Sequence, residues 1–174
     1  MMNGKRQMKL MPKISLIFTK TIISCLIIGI VISTWITPAF AVDYNKQVLT
    51  GRDFSNQDLT DASFDHSNLR GSDFSGSDVQ GVRFFGANLA SVNFEGANLR
   101  NADLESTRMT RANLKDAVLE GAFMTNVMLE GATIDGADFT NALLRPTTEE
   151  MLCKIATGTN PTTGRNTKDT LFCP

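Results

Sequence analysis

A single histidine, His66, serves a chain of 174 residues, and cysteine occurs only at Cys25, Cys153 and Cys173. So little imidazole and thiol excludes a histidine-rich metal centre, a CxxC redox pair and a nucleophile–histidine triad with spare partners. No phosphate-cradling GxxxxGK loop is present either. Acidic residues are missing from the first 41 positions, where Lys5, Arg6, Lys9, Lys13 and Lys20 carry the only charges. Beyond them the balance reverses: residues 42–174 hold 12 Lys+Arg against 18 Asp+Glu, a net charge of −6. A mildly acidic chain has no electrostatic basis for binding nucleic acid or anionic lipid. These absences predict a protein that is not an enzyme and that uses no cofactor, no metal and no small-molecule substrate.

The basic head is followed by an uncharged run from Thr21 to Val42, built around TIISCLIIGIVISTWI and ending in PAFA. Ala39 and Ala41 are the small residues a signal peptidase accepts, so residues 1–41 read as a secretory signal cleaved after Ala41. The alternative is an uncleaved anchor, with membrane contact confined to residues 21–42. In both cases the remainder crosses the membrane. The exported part keeps Cys153 and Cys173, and an even pair in an oxidising compartment reads as one disulfide.

What is present is a period of five. Counting from Leu49, the large apolar residues are Leu49, Phe54, Leu59, Phe64, Leu69, Phe74, Val79, Phe84, Leu89 and Phe94. They continue through Leu99, Leu104, Met109, Leu114, Leu119, Met124, Leu129, Ile134, Phe139 and Leu144, giving 20 units without an insertion. A helix would scatter these centres around its axis, since each step of five turns about 140° beyond a full turn. A single strand would send successive centres to opposite faces. A closed coil buries them all if each unit forms one wall and points its centre inward. Two positions before the centre the residue is usually small, as at Ala87, Ala97 and Ala102, which dense interior packing requires. Two positions after it stand turn formers such as Gly71, Gly76 and Gly81.

ANLAS, ANLRN, ADLES, ANLKD and ADFTN match an A-(D/N)-L-x-x signature, and in this the chain resembles the pentapeptide-repeat proteins. The resemblance implies an all-β fold: a right-handed quadrilateral β-helix of about five coils, each of four pentapeptides. Residues 42–46 are then a lead-in, 47–146 the β-helix, and 147–174 a helix and disulfide-tied tail. At strand spacing the five coils would stand about 24 Å tall. Grouping positions 20 apart puts Phe on two opposing walls near the N-terminal end and aliphatic residues or Met elsewhere.

Gln47, Arg52 and Gln57 break the small-residue rule in the first coil, so that end is expected to be loose, solvated or covered by 42–46. At the other end Thr147-Thr148-Glu149-Glu150 reads as a capping box opening a short helix that runs to about Gly158 and covers the last coil's open edge. His66, with Asp61 and Asp65 nearby, is expected at a solvated corner. Asp and Asn just before the centres (Asp53, Asp73, Asn93, Asn113) read as hydrogen-bonded wall ladders, and Arg83 and Asp103 as a weak surface pair. That outward position turns apolar at Val118, Phe123, Met128 and Leu143, an apolar belt suited either to the tail, including Leu171 and Phe172, or to a partner.

The stretch LCKIATGTNPTTGRNTKDTLFC is similar to the tails of thylakoid-lumenal pentapeptide-repeat proteins of oxygenic photosynthetic cells. The function expected is a non-catalytic, exported structural or protein-interaction module in the thylakoid lumen or, alternatively, the periplasm. Its protein partner is unknown, and its oligomeric state is left open with a monomer favoured. The competing expectation is a DNA-mimic inhibitor of a DNA-binding enzyme such as gyrase, which the net charge of −6 permits.

Overall fold

The computed structural model describes residues 42–174; the expected signal segment, residues 1–41, lies outside the described residues. The chain winds into stacked coils whose walls pair in parallel with a constant offset of 20 residues, from Val48 with Asn68 through Phe123 with Leu143. Among the described residues only one pairing is long enough to count as strands, β1 (Val42–Asp43) against β2 (Ala62–Ser63). Elsewhere each wall meets the next through a single paired residue.

The period of five follows from the hydrogen bonds. At every corner from Leu49 to Phe139 except that of Phe54, the residue three after a centre donates its N–H back to that centre's carbonyl, as Arg52 does to Leu49 (3.1 Å) and Ala102 to Leu99 (3.1 Å). The residue in between, two after the centre, has φ from 54° to 73° at every corner except Asp61. A type II turn puts this left-handed conformation at its third residue, and Gly and Asn adopt it most readily. Four such turns close a coil. Up to Met124 each centre's N–H then donates to the coil above, as Leu89 does to Arg108 (2.8 Å) and Leu99 to Val118 (2.8 Å).

The centres fill the interior. From Leu49 to Phe139 all are buried, while Leu144, on the last coil, is partly exposed. The small positions beside them are buried from Ala62 to Ala137. Where that position is polar, its hydroxyl donates to the carbonyl three residues back: Ser67 to Phe64, Ser72 to Leu69, Ser77 to Phe74 and Thr107 to Leu104, all 2.7 Å. No desolvation cost is left outstanding at these sites.

Two ring stacks run through the N-terminal half. Tyr44, Phe64 and Phe84 stack at 4.8 and 5.1 Å; Phe54 and Phe74 stack at 4.7 Å, and Phe94 follows at 5.1 Å with its plane tilted by 31°. Edge contacts of 5.5–5.9 Å join the stacks. Tyr44 shows that residues 42–46, expected as a lead-in, form a further wall unit. Tyr44 sits at its centre, five before Leu49, and donates its backbone N–H to Ser63 (2.8 Å). A hydroxylated ring is tolerated there because the coil ends beside solvent. Gln47, Arg52 and Gln57 are exposed, so the first coil keeps its polar side chains in water and only one of its walls is covered.

The C-terminal end differs in detail from the sequence expectation. Helix α1 spans Pro146–Cys153, with Pro in its first turn and Arg145 at the N-cap, and no side chain caps it. Proline's fixed φ starts the helix two residues early, which places Thr147 inside the first turn instead of at the cap. The capping box therefore does not form, and the helix stops well before Gly158. A second short helix, α2 (Thr167–Thr170), is capped by the Asn166 side chain, which accepts from the Lys168 N–H. The Cys153–Cys173 disulfide joins α1 to the end of the chain. Leu152, Ala156 and Leu171 are buried against the last coil and close the core.

Candidate interaction surface

A wall residue just before a centre points outward, and most of these side chains serve the fold. The carboxylate or amide oxygen accepts from the N–H two residues on, as Asp53 from Ser55 (2.9 Å) and Asp73 from Ser75 (2.8 Å). The amides also bond up the wall: Asn93 donates to Asp73 (3.0 Å) and Asn113 to Asn93 (2.9 Å). These side chains satisfy turn donors and tie neighbouring coils together.

The expected Arg83–Asp103 pair does not form. Their backbones are paired, but Asp103 accepts from its own turn at Glu105 (3.1 Å) and Arg83 pairs instead with Asp65 at 2.7 Å. The turn occupies the Asp103 oxygen, leaving the long guanidinium to reach the neighbouring coil. His66 is exposed at a left-handed corner (φ 56°), with its ring edge-on to Phe85 at 5.5 Å. Its ring lies where a Cβ at Gly86 would sit, 2.6 Å from Nδ1. No three His, Cys, Asp or Glu side chains among the described residues stand close enough to hold a metal ion.

The tail returns along one wall. Buried Asn160 donates through Nδ2 to the carbonyls of Asp116 (3.1 Å), Ala117 (3.2 Å) and Gly136 (2.8 Å), and accepts from the N–H groups of Thr162 and Thr163. Thr157 accepts from the Gly136 N–H at 2.9 Å, and the Thr170 hydroxyl accepts from the Phe139 N–H at 3.1 Å. The tail thus supplies partners to backbone groups on the last coil's open edge. Arg165 bridges Asp138 (3.1 Å) and Glu120 (3.2 Å). Burial pushes the Asp138 carboxyl up, but hydrogen bonds from Thr140 and Thr163 and the Arg165 charge outweigh it, so its pKa lies below the usual carboxylate range. Sequence reasoning did not single out Asn160, Asp138 or Arg165. NPTTG signals a turn, but nothing in it says which wall the turn meets.

The apolar belt is divided by this docking. Val118, between the Asn160 and Asp138 contacts, is 3 % exposed, whereas Phe123, Met128 and Leu143 remain 47 %, 49 % and 51 % exposed. The tail follows the wall of Val118 and Asp138. Phe123 and Leu143 are paired on the next wall, and Met128 is paired with Arg108 on the one beyond. Leu171 turns into the core, while Phe172 stays exposed beside a cleft of about 490 Å³ lined by α1, Lys168 and the disulfide.

The family model for pentapeptide repeats matches residues 48–86, 77–116 and 107–145, with 8 copies. Among solved structures the chain is similar to a pentapeptide repeat protein from the Arabidopsis thaliana thylakoid lumen. The two are 36% identical over 77% of this chain and 90% of that one, with a TM-score of 0.55. A pentapeptide repeat protein from Nostoc PCC 7120 is 21% identical over 73% of this chain and 85% of that one, with a TM-score of 0.46. No curated protein matches the chain.

Proposed function

The chain belongs to the pentapeptide-repeat family, and from that premise we propose that it is a non-catalytic interaction module exported to the thylakoid lumen, with the periplasm as the alternative. The walls are those of a right-handed quadrilateral β-helix, and a protein partner binds them around Phe123 and Leu143. The observation that carries the proposal is that these two side chains are half exposed on adjoining coils, where lower positions on the same wall hold Ser63, Arg83 and Asp103. The tail, which covers Val118, leaves them uncovered. Phe and Leu in water at a position otherwise given to polar residues favour a covering surface. Cleavage after Ala41 and the Cys153–Cys173 disulfide both suit an oxidising compartment. Duplex mimicry has less support: wall carboxylates such as Asp53, Asp73 and Asp103 accept from their own turns, and Asp65 and Asp138 are paired with arginines.

Fractionation followed by cross-linking of the tagged protein in its own compartment tests this. Phe123→Ser is expected to leave the thermal midpoint almost unchanged while abolishing the cross-linked adduct. Recovery of the protein in the cytosol would overturn the export reading, and an adduct indifferent to Phe123→Ser would overturn the surface.

A further inference from the structure

We infer that the wall carrying Leu69, Leu89 and Met109 holds a binding recess for a small ligand with more than one oxyanion group, such as a phosphate ester or polycarboxylate. The recess, about 470 Å³, is lined by Arg70, Arg108 and Arg111 together with Thr110 and Glu130. Three guanidinium groups against one carboxylate give this patch a local charge of +2 in a region whose net charge is −6.

Apart from Lys46 and Arg52 in the first, open coil, the other basic side chains on the walls are used differently. Arg83, Arg100 and Lys115 each hold a carboxylate, at 2.7, 3.5 and 3.0 Å. Arg70, Arg108 and Arg111 form no ion pair among the described residues, although Glu130 lines the same recess. Residues 1–41 contain no Asp or Glu that could neutralise them.

The coil explains how the recess arises. Position 90 is the post-centre residue between Arg70 on the coil below and Thr110 on the coil above, and there the residue is Ala90. A methyl group between two longer side chains leaves a hollow. Arg70 and Arg108 come from coils two apart, about 10 Å at strand spacing, so the hollow presents fork donors at two levels. Such an array matches an anion with charges at both ends better than a single ion.

Titration calorimetry of the purified protein tests this with two separate probes, pyrophosphate and hexaglutamate peptide, at low and high NaCl. One saturable site that weakens with salt is expected for at least one probe. Arg108→Gln and Arg70→Gln should each weaken it about tenfold, Glu130→Gln should tighten it, and Arg83→Gln on another wall should leave it unchanged. Circular dichroism confirms that each exposed variant folds. Tighter binding of pyrophosphate supports a small phosphorylated ligand, and tighter binding of the peptide would overturn the small-ligand reading in favour of an acidic segment of a protein. Absence of saturable binding by both probes at millimolar concentration would overturn the inference, as would binding that Arg108→Gln and Arg83→Gln change equally.

Discussion

Replacing Phe64 and Phe84 by Leu, singly and together, measures how far the ring stacks stabilise the coil beyond the area they bury. Both side chains are fully buried, with centroids 5.1 Å apart and planes within 6° of parallel. Phe84 also meets Phe74 and Phe94 edge-on at 5.8 and 5.9 Å. Each single substitution keeps most of the apolar volume but removes ring contacts and leaves a small cavity, for a cost of about 1–3 kcal/mol. The stacked pair itself should appear as a coupling of about 0.5–1.5 kcal/mol, the double variant being less destabilised than the two singles added. Urea unfolding with the disulfide intact gives the free energies, and a constant m-value shows that the same unit is unfolding. Phe64→Leu combined with Leu119→Ala, three coils away, is the control and should add within about 0.5 kcal/mol. Coupling near zero for the Phe64/Phe84 pair, or as large in the control, would refute the view that the rings act as a stack.

Three further outcomes follow from the tail and its wall. Gly158 has φ 80°, and a Cβ there would lie 2.7 Å from the Gly136 backbone nitrogen; Gly158→Ala should therefore cost about 1–2 kcal/mol or more in a thermal melt, and an unchanged midpoint would contradict the docking. Asn160→Ala leaves three carbonyls without their amide donor, so hydrogen exchange should speed up in residues 157–170 while the lower coils stay protected, with a loss of about 1–3 kcal/mol. The lowered Asp138 pKa means that its contribution is present above the unfolded value of about 3.9 and is lost as pH falls through the folded value. Asp138→Asn should thus flatten the acid limb of the stability curve below about pH 4, and an acid limb as steep as in the parent protein would refute this.

Much of the fold was legible because its period is strictly local. A large residue every fifth position, a small one two before and a turn former two after can be satisfied together only by a coil, and each instruction lies within five residues. Tyr44 escaped because its hydroxyl disqualifies it as a buried centre; it is admitted only where the coil ends. The helix start escaped because two local signals competed, and Pro146, which needs no N–H partner in the first turn, prevailed over the Thr147 capping box.

The outward side chains had no such local rule. Their spacing placed Arg83 beside Asp103 and Val118 in line with Phe123, yet Arg83 reached Asp65 instead and only Val118 was covered. Those choices depend on which corner the tail meets and on which carboxylates are already occupied by turns. Such contacts span 18 to 44 residues of chain. By itself the sequence determined the interior, because burial and turn geometry repeat with the chain. Only the tertiary structure decided which surfaces stay open, because a side chain on a wall chooses among partners that the repeat brings close but does not rank.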